Sequence, residues 1–172
     1  MKIFLIGLPG SGKTTLGKQA AHQLSIPFVD LDAAIEKAEQ RTIPEIFKQS
    51  GENYFRQLES ELLKKWAASS TDFLMATGGG APCFFDNVEL MNRAGITFFL
   101  DVPAMEIAQR ISASTKQERP LFNSMDFDVL KDQIETLRSR RISFYKQAQQ
   151  TLSGRGIQSQ QLVEMIRKGI QA

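Results

Sequence analysis

Residues 7–14 read Gly-Leu-Pro-Gly-Ser-Gly-Lys-Thr, a match to G-x-x-x-x-G-K-[ST], and stand between two stretches of opposite periodicity. Residues 2–6 form a short apolar run of strand length, and residues 14–21 read as a helix. No other feature restricts the fold as much. Glycines let the backbone turn tightly and aim successive N–H groups at phosphate oxygens, while the following helix adds the positive end of its dipole. In that pattern Lys13 reaches the β- and γ-phosphates and Thr14 Oγ ligates Mg²⁺. A plain glycine-rich turn accounts for the glycines, but not for Lys-Thr in this order at a helix start. The motif in its context implies binding of a nucleoside triphosphate.

From there strand and helix patterns alternate. Strands are expected at 2–6, 26–32, 72–77, 96–100 and, weakly, 151–152. Helices are expected at 14–24, 33–39, 44–48, 88–93, 102–111, 126–149 and 159–170, and from residue 52 through the apolar series Phe55, Leu58, Leu62 and Trp66. The long helix, capped by Asp126, is expected to turn Val129, Leu130, Ile134, Leu137 and Phe144 inward. Residues 112–125 are polar, charged and broken by Pro120, and read as a surface loop. Such alternation, with near-continuous apolar strands, implies an α/β fold whose parallel sheet is covered on both faces. Ligands in such sheets sit at the carboxyl ends of the strands. One rim then gathers the loop after Ile6, the acids after Val29 and the triple glycine after Thr77.

A chain of 172 residues suits one domain, here 1–172. With 21 basic and 19 acidic residues, the net charge of +2 gives no case for a nucleic-acid surface. The single Cys83 excludes an internal disulfide and a Cys-rich metal site, and fits a reducing compartment. No apolar run approaches membrane-spanning length, so the expected address is cytoplasmic; without sustained heptads, a monomer is the expected state.

Asp30 and Asp32 fall two apart at a strand end, so in extended backbone they point the same way. One suits the Mg²⁺ water shell and the other a substrate hydroxyl, while Asp32 before Ala33 also makes a good helix cap. Gly78-Gly79-Gly80 can present backbone N–H groups to a ligand; a sharp turn needing positive φ explains one glycine comfortably and three poorly. Arg56 departs from the apolar stripe of its helix, so its default is a solvated face, as it is for Arg138, Arg140 and Arg141. Arg119-Pro120 lies in the polar loop, where an arginine can close over phosphates. His22 has no partner in sequence, and Cys83 reads as a small packing residue.

Together these pieces resemble the shikimate kinase family of nucleoside-monophosphate-kinase-like proteins. The resemblance rests on residues 7–15, Val29-Asp30-Leu31-Asp32, Gly51-Glu52-Asn53-Tyr54-Phe55-Arg56, Gly78-Gly79-Gly80-Ala81, Arg119-Pro120-Leu121, and Arg141 with Tyr145. It implies a five-stranded parallel sheet of order 2-3-1-4-5, a substrate-binding segment at about 32–60 and a lid at about 112–125. The implied reaction phosphorylates the 3-hydroxyl of shikimate with ATP and Mg²⁺. Lys13 and Gly10, Ser11, Gly12, Thr14 and Thr15 hold the ATP phosphates, and Thr14 with Asp30 organises the metal. Asp32 orients or deprotonates the attacking hydroxyl. Arg56 and Arg141 grip the carboxylate, beside Gly78, Gly79 and Gly80. Arg119 is the lid arginine, and Arg110 stacks on adenine. The family's usual proline two residues after the carboxylate-binding arginine is Ser143 here, so Arg140 stands beside Arg141 as a candidate. Gluconate kinase shares the fold group and is the nearest alternative. A small GTPase would show N-K-x-D, which does not occur. A non-catalytic nucleotide-binding relative is the remaining rival.

Overall fold

The structure is a computed structural model describing residues 1–114 and 126–171. Five strands, β1 (Lys2–Ile6), β2 (Phe28–Asp30), β3 (Phe73–Ala76), β4 (Ile96–Asp101) and β5 (Gln150–Ser153), form one sheet of order β2-β3-β1-β4-β5. Every pairing is parallel, with Ile3 opposite Leu74 on one side and Ile96 on the other. This is the expected α/β sheet and order. β1 is central, and Ile3, Phe4, Leu5 and Ile6 are fully buried. Each such side chain contributes about 1.5–3 kcal/mol by burial. Phe73 packs edge-on against Phe4 at 5.5 Å and against Trp66 at 5.3 Å.

The helices are α1 (Lys13–Leu24), α2 (Leu31–Glu39), α3 (Ile43–Ala68), α4 (Asn87–Ala94), α5 (Ala104–Ser114), α6 (Phe127–Tyr145) and α7 (Ser159–Gln171). α3 opens on a capping box in which Thr42 Oγ1 accepts from Glu45 N and Glu45 Oε2 accepts from Thr42 N at 2.7 Å. It bends at Gly51 (φ 81°, ψ 172°), the junction of the two expected helices. No helix among the described residues is long and apolar enough to cross a membrane.

Four local expectations are corrected. β2 ends at Asp30, because Asp30 Oδ1 accepts from Ala33 N and starts α2 there. Asp30, not Asp32, is therefore the cap, and Asp32 lies inside the first helical turn instead of on an extended strand. The long helix stops at Tyr145, and the last strand is β5, hydrogen-bonded along β4 from Gln150. Val129 is exposed rather than inward, while Leu130, Ile134 and Tyr145 form the buried face of α6.

A further correction concerns α3. Beyond its bend at Gly51, its most buried positions are Phe55, Arg56, Glu59, Ser60 and Leu63, with Leu58, Leu62 and Trp66 only partly covered. The apolar stripe identifies one covered face. A second face, polar and just as buried, looks toward the carboxyl rim of the sheet, and Arg56 lies on it rather than in solvent.

Candidate active site

The rim holds a cleft of about 620 Å³ bounded by Lys13, Thr14, Asp30, Asp32, Gly78 and Arg110. The phosphate loop leaves β1 at Gly7 and enters α1 with Gly12 in the left-handed region (φ 94°), which lets the helix begin at Lys13 without a side-chain cap. Lys13 folds back over the loop, Nζ donating to Gly7 O at 2.9 Å and Leu8 O at 2.8 Å. Ser11 is fully buried. Thr14 Oγ1 donates to Asp30 Oδ2 at 2.9 Å, which ties the start of α1 to the end of β2.

Two buried side-chain oxygens lack a hydrogen-bond partner among the described residues: Asp32 Oδ1 and Glu59 Oε1. Both lie against Gly78, where a Cβ would stand 2.8 Å from the first and 2.7 Å from the second. Orphaned buried carboxylate oxygens are costly, so their concentration beside the phosphate loop marks a place where a polar ligand belongs. Burial first, then the neighbouring Asp30, raises the Asp32 carboxyl above its ordinary range, while Lys13 and Arg56 pull it back. Burial pushes Glu59 up to about 7, against the opposing pull of Arg56. Arg56 donates from Nη1 to Glu59 Oε2 at 2.8 Å and reaches Glu52 Oε1 from Nε and Nη2 at 3.3 and 3.2 Å.

The triple glycine is explained by approach. None of Gly78, Gly79 and Gly80 is among the residues with positive φ, so a left-handed turn is not the reason for them. A Cβ would instead collide with the two carboxylates at residue 78, with the Pro9 ring at 79 (2.6 Å) and with the Arg56 guanidinium at 80 (2.6 Å). Three elements converge on one strip of bare backbone. Tyr145, fully buried at the end of α6, donates its hydroxyl to Gly79 O at 2.6 Å. Burial pushes this phenol up to about 12, with Arg141 acting the other way.

Arg141 also acts on Glu59 and Cys83, which places its charge on the Arg56 side of the cleft. Arg140 is exposed and borders a separate, mostly apolar cavity of about 550 Å³ with Val129 and Leu137. Arg138 pairs with Asp101 at 2.8 Å, away from the cleft. Arg110 donates from Nη1 to Ser11 O at 2.8 Å and pairs with Glu106, whose carboxylate accepts from Gly156 N at 3.2 Å. Ile157 and Gln158 complete that wall. Burial raises the Cys83 thiol, which suits packing rather than attack. Arg119 and most of the 112–125 loop lie outside the described residues; 112–114 belong to α5.

Sequence reasoning missed Glu59, Glu106 and Phe84. The signal for the first two was present: Glu59 stands three residues after Arg56 and Glu106 four before Arg110, so each pair shares a helix face. Phe84 carries no such signal, since its ring meets Arg56 only through the tertiary fold.

A parallel sheet with its phosphate loop facing an acid- and arginine-lined cleft defines a P-loop kinase. The shikimate kinase family model matches residues 9–171. The chain is 46% identical over 148 residues to a shikimate kinase of Bacteroides fragilis, covering 86% of this chain and 82% of that one. Over all of this chain and 99% of the other it superposes on the Bacteroides thetaiotaomicron shikimate kinase, with a TM-score of 0.88 and 40% identity. Over 98% and 92% it superposes on the Acinetobacter baumannii shikimate kinase in complex with shikimate, with a TM-score of 0.84 and 30% identity. A gluconokinase of Sinorhizobium meliloti, at 16% identity and a TM-score of 0.59 over 98% and 90%, shares the fold alone. This chain belongs to the shikimate kinase family.

Proposed function

We propose that this enzyme transfers the γ-phosphoryl group of ATP to the 3-hydroxyl of shikimate, giving shikimate 3-phosphate and ADP on the route to chorismate and the aromatic amino acids. The observation that carries the reading is the pair of buried, unpartnered oxygens of Asp32 and Glu59 beside the phosphate loop, with Arg56 one side chain away. A polyhydroxy acid needs an acceptor for its hydroxyls and a cationic fork for its carboxylate, and these groups supply both.

Lys13 and the loop N–H groups hold the phosphates at the start of α1. Asp32 accepts the proton of the attacking hydroxyl as its oxygen forms the new bond to phosphorus and the bond to the ADP oxygen breaks. The raised Asp32 carboxyl is a better proton acceptor than an ordinary aspartate, and Lys13 and Arg56 oppose that rise. Arg56 and Arg141 hold the substrate carboxylate, with Gly79 and Gly80 offering backbone alongside. Thr14 and Asp30, a hydroxyl and a carboxylate already in contact, fit Mg²⁺, which takes few protein oxygens and keeps water and phosphate oxygens. Bound there, the ion would neutralise charge on the phosphates. Arg110 belongs to the adenine side, and Arg119 is assigned to the lid by its motif. The chain acts in this reading as a cytoplasmic monomer of one domain, on a small molecule rather than on nucleic acid or membrane.

Coupled ADP release with Mg·ATP, comparing shikimate, gluconate and AMP as acceptors, tests the assignment. Turnover with shikimate alone is expected; a site built around substrate hydroxyls rejects analogues lacking them by as much as about 10⁴-fold. Turnover with gluconate instead would replace the substrate and keep the class.

A further inference from the structure

The 3-10 turn at Ala81–Cys83 delivers the half-buried Phe84 to the Arg56 guanidinium, with Cζ 4.5 Å from the ring centroid. Arg56 has five N–H donors. Nε and one N–H of Nη2 go to Glu52, and one N–H of Nη1 goes to Glu59. Among the described residues, one donor then remains on each terminal nitrogen, the pair that a carboxylate takes. Whether that fork meets a substrate squarely depends on the tilt of the guanidinium plane. Glu52 and Glu59 restrain its donors, and the Glu52 side chain is itself 57% exposed. The plane must be fixed from its faces. A Cβ at Gly80 would lie nearly equidistant from Cζ, Nη1 and Nη2 (2.6–2.7 Å), so Gly80 covers a face rather than the edge. Among the described residues, Phe84 is the closer of two aromatic rings on the same group; Phe55 stands at 5.1 Å.

The chain is strained to put Phe84 there. The next two residues, Phe85 (φ 50°) and Asp86 (φ 53°), both sit in the left-handed region, unfavourable for a bulky side chain, and Phe85 is 55% exposed. The segment is also tied to the helix that carries Arg56. Ser60 Oγ donates to Asn87 Oδ1 at 2.8 Å, and Asn87 Nδ2 donates to Ala81 O at 2.9 Å. Phe85, more than half exposed, gains no burial in return for that strain.

We propose that Phe84 is a positioning residue, holding the Arg56 guanidinium face so that its free donors meet the substrate carboxylate. This rests on the assignment of Arg56 to that carboxylate. The ring acts through its π face on a partly desolvated cation, so its electronics matter as well as its bulk.

Steady-state kinetics of Phe84→Leu, Phe84→Tyr and Arg56→Lys, with 3,4,5-trifluorophenylalanine placed at position 84, separate the possibilities. Phe84→Leu is expected to raise the shikimate KM by about 5- to 30-fold, the range of a partly to fully desolvated cation–π contact, with the ATP KM and kcat within twofold. Tyrosine restores the wild-type value. The trifluoro ring, nearly unchanged in shape, raises the shikimate KM by at least about threefold while leaving Tm in place. A trifluoro variant with unchanged KM overturns the proposal, even should Phe84→Leu fold poorly. Arg56→Lys distinguishes the underlying reading: an unchanged shikimate KM there refutes the carboxylate assignment and the inference with it, whereas a raised KM beside an unaffected Phe84 series refutes Phe84 alone.

Discussion

The Arg56 guanidinium lies directly against the backbone of Gly80, so close that a Cβ at residue 80 would stand 2.6 Å from Nη2 and 2.7 Å from Cζ. The absent side chain of one residue is the seat of the other. Gly80→Ala therefore has to move Arg56 or the strip that carries Gly79. Overpacking of this kind costs about 1–3 kcal/mol. The shikimate KM should rise about tenfold with the ATP KM within twofold, measured by initial rates over both substrates. Equal loss for both substrates would mean that the strip also shapes the phosphate loop through Pro9.

Asp32 is free of the capping duty that Asp30 performs, so its carboxylate can be altered without unfolding the start of α2. Asp32→Asn should lower kcat by about 10²–10⁴-fold, the usual contribution of a positioned proton acceptor, while ATP binding by calorimetry stays within a few-fold. Turnover within a few-fold of wild type would remove Asp32 from the chemistry.

Glu59 links stability to pH. Its folded-state value of about 7 lies above the ordinary 4.5, so the folded protein keeps a proton that the unfolded chain releases between those values. Its contribution to stability is full below about 4.5 and is lost as pH rises toward 7. Glu59→Gln stays neutral throughout. The variant should gain on the order of 2 kcal/mol relative to wild type between pH 5 and pH 8, read from urea unfolding at each pH. A pH-independent difference would show that Glu59 ionises normally.

Tyr145 ties the end of α6 to the glycine strip through Gly79 O, and with its phenol pushed up to about 12 the bond persists across the working pH range. Tyr145→Phe leaves that carbonyl without its partner, at a cost of about 1–3 kcal/mol. The expected signature is a lower Tm together with a raised shikimate KM, since Arg141 sits on the same helix. A lower Tm with unchanged KM would confine Tyr145 to stability.

The phosphate loop and the parallel sheet were legible because each rests on local rules: glycine spacing, apolar runs and β/α alternation; the strand order came only with the resemblance to the shikimate kinase family. The acids after Val29 were legible as a pair but not in their division of labour. That division turns on where β2 gives way to α2, and the Asp30–Ala33 hydrogen bond decides it. Arg56 shows the limit of periodicity. An apolar stripe reports the face of α3 against the core, whereas the face toward the cleft is buried by other elements and is written in Arg56, Glu59 and Ser60. The triple glycine was recognised as too many for a turn, but its reason, four side chains arriving from the phosphate loop, α2 and α3, exists only in the fold.

Product analysis tests the central claim most directly. Incubation with shikimate, ATP and Mg²⁺, followed by ¹H–³¹P correlation NMR, should show one new phosphate ester coupled to the proton on carbon 3 of the ring. A phosphate on another hydroxyl, or ATP consumed with shikimate unmodified, would contradict the placement of Asp32 against the 3-hydroxyl and with it this account of the site.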